Sequence, residues 1–432
     1  MQQQFRKNVM VLAIASALGG ASGMASAAGF ALIEQSGSGM GNAYAGAAAT
    51  AEDASTVFFN PAGMSKLQGM QFTAGGHLID LNAKFSNTGS SKPPAIVTNP
   101  LGGNGGDAGD LAIVPNFYFV MPIGDQLHFG VGVGAPFGLK TEYEDTWAGR
   151  FQGIKSDLKT ININPSIAFK VSEMFSVGAG INLQRIEADL TNAIVAGGND
   201  EGRAKLEADD DSWGWNVGVL IEPVAGTRIG ASYRSVVDYT LDGTASATNA
   251  AGASIANNPV NADVTLPDTF SLSIAQSLSE KWEILGDMSF TRWSEINTID
   301  VVNTNNGTLV DRLVLDFDDS WRYSVGVNYK LDEGWKLKAG VAFDETPVKS
   351  ASSRTVRLPD SDRTWLSLGA QVKIKQTGRL DFGYSHLFLK DAEIDNTRTQ
   401  VGFPAPAAAT SRVQGTYEGS VDIFSVTYSM AF

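Results

Sequence analysis

The sequence has no cysteine and only three histidines, His77, His128 and His386. Without cysteine, no disulfide can staple the chain. The histidines lie on separate segments with no metal-ligand spacing. Ser385 beside His386 is no nucleophile–base pair, because neighbours on a strand face opposite sides. "GVGVG" at 130–134 is followed by no helix, so it is not a dinucleotide loop. No catalytic group, cofactor or metal is expected, and no energy-coupling motif is visible. Basic side chains are also few. The chain carries 32 Lys and Arg against 46 Asp and Glu, a net charge of −14, which argues against nucleic acid as a partner. "DDD" at 209–211 reads as a solvated loop end.

A long apolar run is missing too. The one apolar stretch, "VMVLAIASALGG" at 9–20, follows Arg6 and Lys7 and precedes the small-residue triplet "ASA" at 25–27. That is the pattern of a secretory signal over 1–27, with the mature start at Ala28. Nothing later holds about 18 consecutive apolar residues, so no transmembrane helix is expected. Yet 43% of the residues are hydrophobic and 47 are glycine. Strands are the remaining way to cross a membrane.

The C-terminus shows them most clearly. In "DIFSVTYSMAF", Phe424, Val426, Tyr428, Met430 and Phe432 alternate with Ser425, Thr427, Ser429 and Ala431. Period two over this length suits a membrane strand. The same alternation runs through Ile161, Ile163, Ile167 and Phe169, then through Phe175, Val177, Ala179, Ile181 and Leu183. With the weaker segments, fourteen strands are expected. Short turns such as "IGDQ" (123–126), "SEM" (172–174) and "LDEG" (331–334) alternate with long polar connections. The long ones fall near 87–108, 142–156, 191–211, 243–262, 297–310, 344–356 and 392–414. The predicted fold is all-β, a 14-stranded antiparallel transmembrane β-barrel over 70–432. Short turns would lie in the periplasm with both chain ends, and long loops outside.

Residues 28–69 do not alternate. "SGSGMGNAYAGAAATAEDASTVFFNPAGMSK" is rich in glycine and alanine, and part of it favours helix. It reads either as a periplasmic linker or as an N-terminal hatch, a plug inside the lumen. A fourteen-stranded barrel is too wide for its own side chains to fill.

"AGFALIEQSGSGMGNAYAGAAATAEDASTVFFNPAGM" (28–64) resembles the mature start of the FadL/TodX family of outer-membrane transporters. The similarity continues in "VPNFYFVMPIGDQ" (114–126), "FGLKTEYEDTWAG" (137–149), "LPDSDRTWLSLG" (358–369) and "DFGYSH" (381–386). The resemblance implies the hatch, the outer membrane and passive uptake of long-chain fatty acids. Uptake of neutral aromatic or alkane hydrocarbons is the alternative, and a general porin a remoter one. It also implies an inward kink in the third strand, at Gly134–Ala135–Pro136–Phe137–Gly138, where solute leaves sideways into the bilayer. Pro136 has no N–H to give a ladder. From the residues alone, an ordinary bulge stays open beside this reading. By the same resemblance, Asn60 of the triplet Asn60–Pro61–Ala62 is expected to offer its amide to the kink, with Pro61 fixing the local turn, and Phe30 to touch ligand. A basic pair for a carboxylate is not placed by any motif. Asn192 and Asp318 stand where one would be sought, and Arg185, Arg292 and Arg322 could face inward. The loops 191–211 and 243–262, with Ile194, Val195, Ile255 and Val260, are the expected capture surface. Outer-membrane lipid, lipopolysaccharide and the barrel assembly machinery are the expected partners of a monomer.

Overall fold

The computed structural model describes residues 29–374, 377–403 and 409–432. The predicted signal, 1–27, and the predicted start at Ala28 lie outside the described residues. In chain order the strands are β1 (Gln71–Asn87), β2 (Leu111–Ile123), β3 (Leu127–Gly134), β4 (Gly138–Glu142), β5 (Lys155–Lys170), β6 (Phe175–Gly197), β7 (Asp200–Val224), β8 (Thr227–Arg234), β9 (Val237–Thr248), β10 (Ser254–Leu266), β11 (Thr269–Ser277), β12 (Trp282–Thr291), β13 (Thr298–Asn303), β14 (Leu309–Val314), β15 (Ser320–Lys330), β16 (Trp335–Asp344), β17 (Arg363–Ile374), β18 (Gly378–Leu389), β19 (Ala392–Thr399) and β20 (Thr410–Ala431). Six crossings are broken into two segments, so the described strands make fourteen crossings. All pairings are antiparallel, and β1 pairs with β20 along its whole length, Gln71 opposite Ala431 and Asn87 opposite Gly415. The sheet is therefore closed and has no edge to shield from lipid.

The period-two pattern sets the two faces. On β20, Ser425, Thr427 and Ser429 are buried, while Phe424 and Val426 point out. On β5, Thr160, Asn162, Asn164 and Ser166 face in, while Ile161, Ile163 and Ile167 face out.

Higher on the same strands the pattern inverts. Along β6 the outward residues change from Ile181 and Leu183 to Arg185, Glu187 and Asp189. The inward ones change from Asn182 and Gln184 to Ile186, Ala188 and Leu190. The apolar outward stretch, 175–183, has the length of a membrane strand, about 9–11 residues. Above it the wall stands in water with a greasy lumen. This corrects the expected loops 191–211 and 243–262, which are the tips of strand hairpins β6–β7 and β9–β10. Ile194, Val195 and Val260 are buried in them rather than displayed for capture. Asp209–Asp211 lie on β7, not in a loop; Asp209 and Asp211 pair with Arg185 at 2.7 and 3.0 Å on the outside.

The segment before β1 lies within the ring of strands. It holds three single-turn helices, α1 (Gly37–Met40), α2 (Ala47–Thr50) and α3 (Thr56–Phe59), then a 3-10 helix, Pro61–Lys66. The helix expected through "AYAGAAATAEDA" is broken. Ala43, Tyr44, Gly46 and Ala51 all have positive φ. Contacts with the wall override alanine's helix preference here. The backbone of this hatch presses directly on wall glycines. A Cβ at Gly340 would lie closer than 3.0 Å to the backbone of Asn42, and one at Gly230 would strike that of Ala48. Part of the barrel's glycine content is therefore the space its plug occupies.

Charge holds the hatch against the later crossings. Glu52 lies 2.7 Å from both Lys336 and Lys338. Asp53 lies 2.7 Å from Arg379, which also reaches Asp381 at 2.8 Å. Burial works against the charge on Glu52, but Lys336, Lys338 and Arg379 outweigh it and hold the carboxyl well below its usual range. A valine at Gly340 should force the hatch off its seat. We expect Gly340→Val to raise the conductance of the barrel in planar bilayers while leaving its heat-modifiable gel migration intact; unchanged conductance would mean the hatch yields without moving.

Candidate functional site

The third crossing is split between β3 and β4 at Ala135–Pro136–Phe137. Gly134 is opposite Asn162 and Gly138 opposite Lys159, so three residues face two on β5. This is a bulge with one extra residue. On the other side the ladder with β2 ends at Val133, opposite Phe117. From there up to Glu142, whose N–H reaches Ala108, no described ladder bond joins the third crossing to β2. The wall is unzipped at this height.

Backbone groups of the kink find partners in the hatch and on β5. The carbonyl of Pro136 accepts from the N–H of Leu32 at 2.8 Å, and Gly138 donates to Phe30 at 2.9 Å. Ala31 and Phe137 thus form an antiparallel bridge between hatch and wall. Gln35 Nε2 donates to the Ala135 carbonyl at 2.7 Å. Thr160 Oγ1 accepts from Phe137 N–H at 3.0 Å and donates to its carbonyl at 2.7 Å. An unsatisfied group in lipid would cost several kcal/mol, so these bonds are what permits the break.

The expected role of Asn60 is corrected. Its amide donates to Ala48 at 2.7 Å and to Val219 on β7 at 2.9 Å, and its oxygen caps Ala62 N–H at 3.1 Å. Asn60–Pro61–Ala62 seats the hatch against Gly178 and Gly218 and does not touch the kink. Gln35 does what was expected of Asn60. A lone glutamine on a non-alternating segment gives no sequence signal.

Phe30 stands among aromatics. Its ring centroid lies 5.0 Å from Trp293 and 5.9 Å from Phe137, and Trp293 lies 6.0 Å from Phe317. Gly29, with φ of +62°, packs so closely that a Cβ would enter the Trp293 ring. Its N–H donates to Asp360 of the "LPDSDR" stretch at 2.9 Å. That motif anchors the start of the hatch.

Beside this cluster lies a cavity of about 140 Å³. Ile33 and Phe59 of the hatch, Pro136 and Phe137 of the kink, and Arg234 and Arg322 of the wall line it. Of the three arginines noted in the sequence, Arg185 and Arg292 are on the outside, paired with acids. Arg322 alone faces in. Asp318 is exposed and pairs with Lys349 at 3.3 Å. Asn192 lines a smaller cavity with Arg357 and Arg398.

The sequence matches the outer membrane protein transport protein family, OMPP1/FadL/TodX, over residues 19–432. The chain belongs to this family. It is 31% identical to the long-chain fatty acid transport protein of Escherichia coli strain K12, over 90% of this chain and 94% of that one. It is 30% identical to outer membrane protein P1 of Haemophilus influenzae over the full length of both. The crystal structure of a Pseudomonas aeruginosa FadL homologue superposes with a TM-score of 0.85 at 22% identity, covering 94% of this chain and 100% of that one. The toluene transporter TbuX of Ralstonia pickettii superposes with a TM-score of 0.66 at 17% identity, covering 92% and 98%. This OMPP1/FadL/TodX protein is therefore an outer-membrane transport protein with the family's barrel.

One hatch carboxyl, Glu34, is shifted by its burial. Burial pushes Glu34 up to about 7, against the pull of Arg322 and Arg363, with Asp344 adding to the rise. The docked hatch then binds this proton more tightly than the unfolded chain does. The contribution is full below pH 4.5 and is lost as pH rises through about 7. The stability gap between Glu34→Gln and the natural protein, measured by thermal unfolding in detergent, should widen in favour of the variant across that window. A gap independent of pH would show that Glu34 does not titrate there.

Proposed function

We propose that this chain takes up long-chain fatty acids passively, from an apolar outer lumen, past the hatch, and out through the third crossing into the bilayer. The observation that carries this is the unzipped wall beside Pro136, bridged from inside by residues 30–35. A solute leaving there never meets bulk water. That matters because each exposed CH₂ costs about 0.8 kcal/mol, so a sixteen-carbon chain would lose on the order of 10 kcal/mol in an aqueous pore. Pro136 and Gly134–Gly138 act as the gate frame, and Phe30 as the residue that meets the solute first. The close packing of hatch on wall supports a gated path over a general porin. Residues 1–27 act as export signal, 28–69 as hatch and 70–432 as barrel. The barrel works as a monomer with both ends in the periplasm, is inserted by the assembly machinery, and sits against lipopolysaccharide.

A second reading has its own support. A cavity near 150 Å³ lined by apolar groups is the size that holds benzene, and the cavity here is about 140 Å³. A single aromatic ring matches it in volume, although part of its lining is polar, whereas a long acyl chain needs more room than it offers.

Deleting Ala135 removes the extra residue and lets Gly134 and Gly138 pair with β5 in register. In an outer membrane stripped of other hydrophobic transporters, this deletion should cut labelled oleate uptake by at least about tenfold, because the ladder to β2 can then close. Toluene uptake without oleate uptake in the natural protein would move the substrate to neutral hydrocarbons. Unchanged uptake after the deletion would overturn the lateral exit.

A further inference from the structure

The cavity beside the kink is lined by two arginines, and they are not equivalent. Arg234 is committed. It donates to the Phe58 carbonyl at 2.9 Å and to Asn182, and its guanidinium lies 4.3 Å over the Phe58 ring. Arg322 is not. It is buried to 7% exposure, and its one hydrogen bond runs from Nη2 to the Ala43 carbonyl at 2.7 Å. Its Nε and Nη1 are buried and make no hydrogen bond. Its guanidinium is held 5.1 Å over Trp365, so the group is fixed while part of its donor capacity is unused. Buried polar atoms are rarely left without partners, and each such case calls for an explanation.

The acids nearby do not answer it. Asp287, which also lines the cavity, accepts from Ser289 at 2.9 Å and from Ser273. Asp344 lines the cavity as well, but gives neither Nε nor Nη1 a hydrogen bond. Glu34 has one buried carboxylate oxygen without a partner, and burial favours its protonated form. The cavity thus offers a fixed cation with spare N–H groups beside apolar walls from Ile33, Phe59 and Phe137.

We propose that Arg322 binds the carboxylate of the solute inside this cavity and sets the preference of the carrier for acids over neutral hydrocarbons. Charge-assisted bonds from an arginine to a carboxylate are the strong kind. They would hold the head while the tail lies along the hatch toward Pro136. The inference rests on the fatty-acid reading above.

The test measures initial uptake of oleate and of toluene by the same cells expressing the natural protein, Arg322→Gln or Arg322→Lys. We expect Arg322→Gln to lower oleate uptake about tenfold and leave toluene uptake within about twofold, as loss of one charge-assisted contact predicts. A merely structural part, in fastening Ala43, would change both solutes together, and that result would overturn the proposal. So would an unchanged oleate-to-toluene ratio. If Arg322→Gln does not reach the outer membrane, Arg322→Lys decides. It keeps the charge but loses the planar donor set, and should lower oleate uptake severalfold with toluene unchanged. A natural protein that takes up toluene but no oleate would sink the fatty-acid reading and this inference with it. Oleate uptake untouched by either substitution would sink this inference alone.

Discussion

A membrane wall can be opened only where something else satisfies its backbone. Everything else in this protein serves that constraint. The bridge between Phe30–Leu32 and Pro136–Gly138 gives the third crossing a new neighbour on its lumen side, in place of the β2 ladder it has left. Gln35 takes the Ala135 carbonyl, and Thr160 the N–H and carbonyl of Phe137. The kink and the hatch end are therefore one unit. Neither is stable in lipid without the other, since each supplies the donors and acceptors the other lacks.

That unit has a tightly fastened base and a more lightly held tip. The base is polar and tight. Asn60, Glu52 and Asp53 bind inward-facing residues on several crossings, and wall glycines leave no slack. Buried ion pairs of this kind add little net stability, but breaking one leaves a charge stranded, so they fix position. The tip is held by two backbone bonds, the Gln35 and Asp360 contacts, and aromatic packing around Phe30. The lumen changes accordingly, from Asn, Ser and Thr around the base to Leu, Val, Ile and aromatics above the tip.

The barrel was legible in the sequence because lipid demands alternation. Phe424 and Val426 out, Ser425 and Thr427 in, is a pattern few other environments impose. Pro136 was legible because proline lacks a donor. The tall hairpins look like loops in the sequence because their polarity is reversed. Arg185 and Asp209 outside, Ile186 and Ala208 inside, look like a mixed polar stretch unless the water line at Leu183 and Trp213 is known. Gln35, Thr160 and Arg322 were not legible as a set. They sit far apart in the chain, and each is one more polar residue on an inward-facing register or an irregular segment. Only the closed ring brings them together.

The charge clamp on the hatch has a consequence for how the molecule is made. Glu52 and Asp53 precede every strand of the barrel, yet their partners Lys336, Lys338 and Arg379 lie on β16 and β18, more than 280 residues further along the chain. Contacts this distant in sequence form late, after the loop between them has been closed. This clamp cannot close until the final crossings exist. The two ends of the chain thus report on each other. Only a completed ring holds all the partners of Glu52 and Asp53.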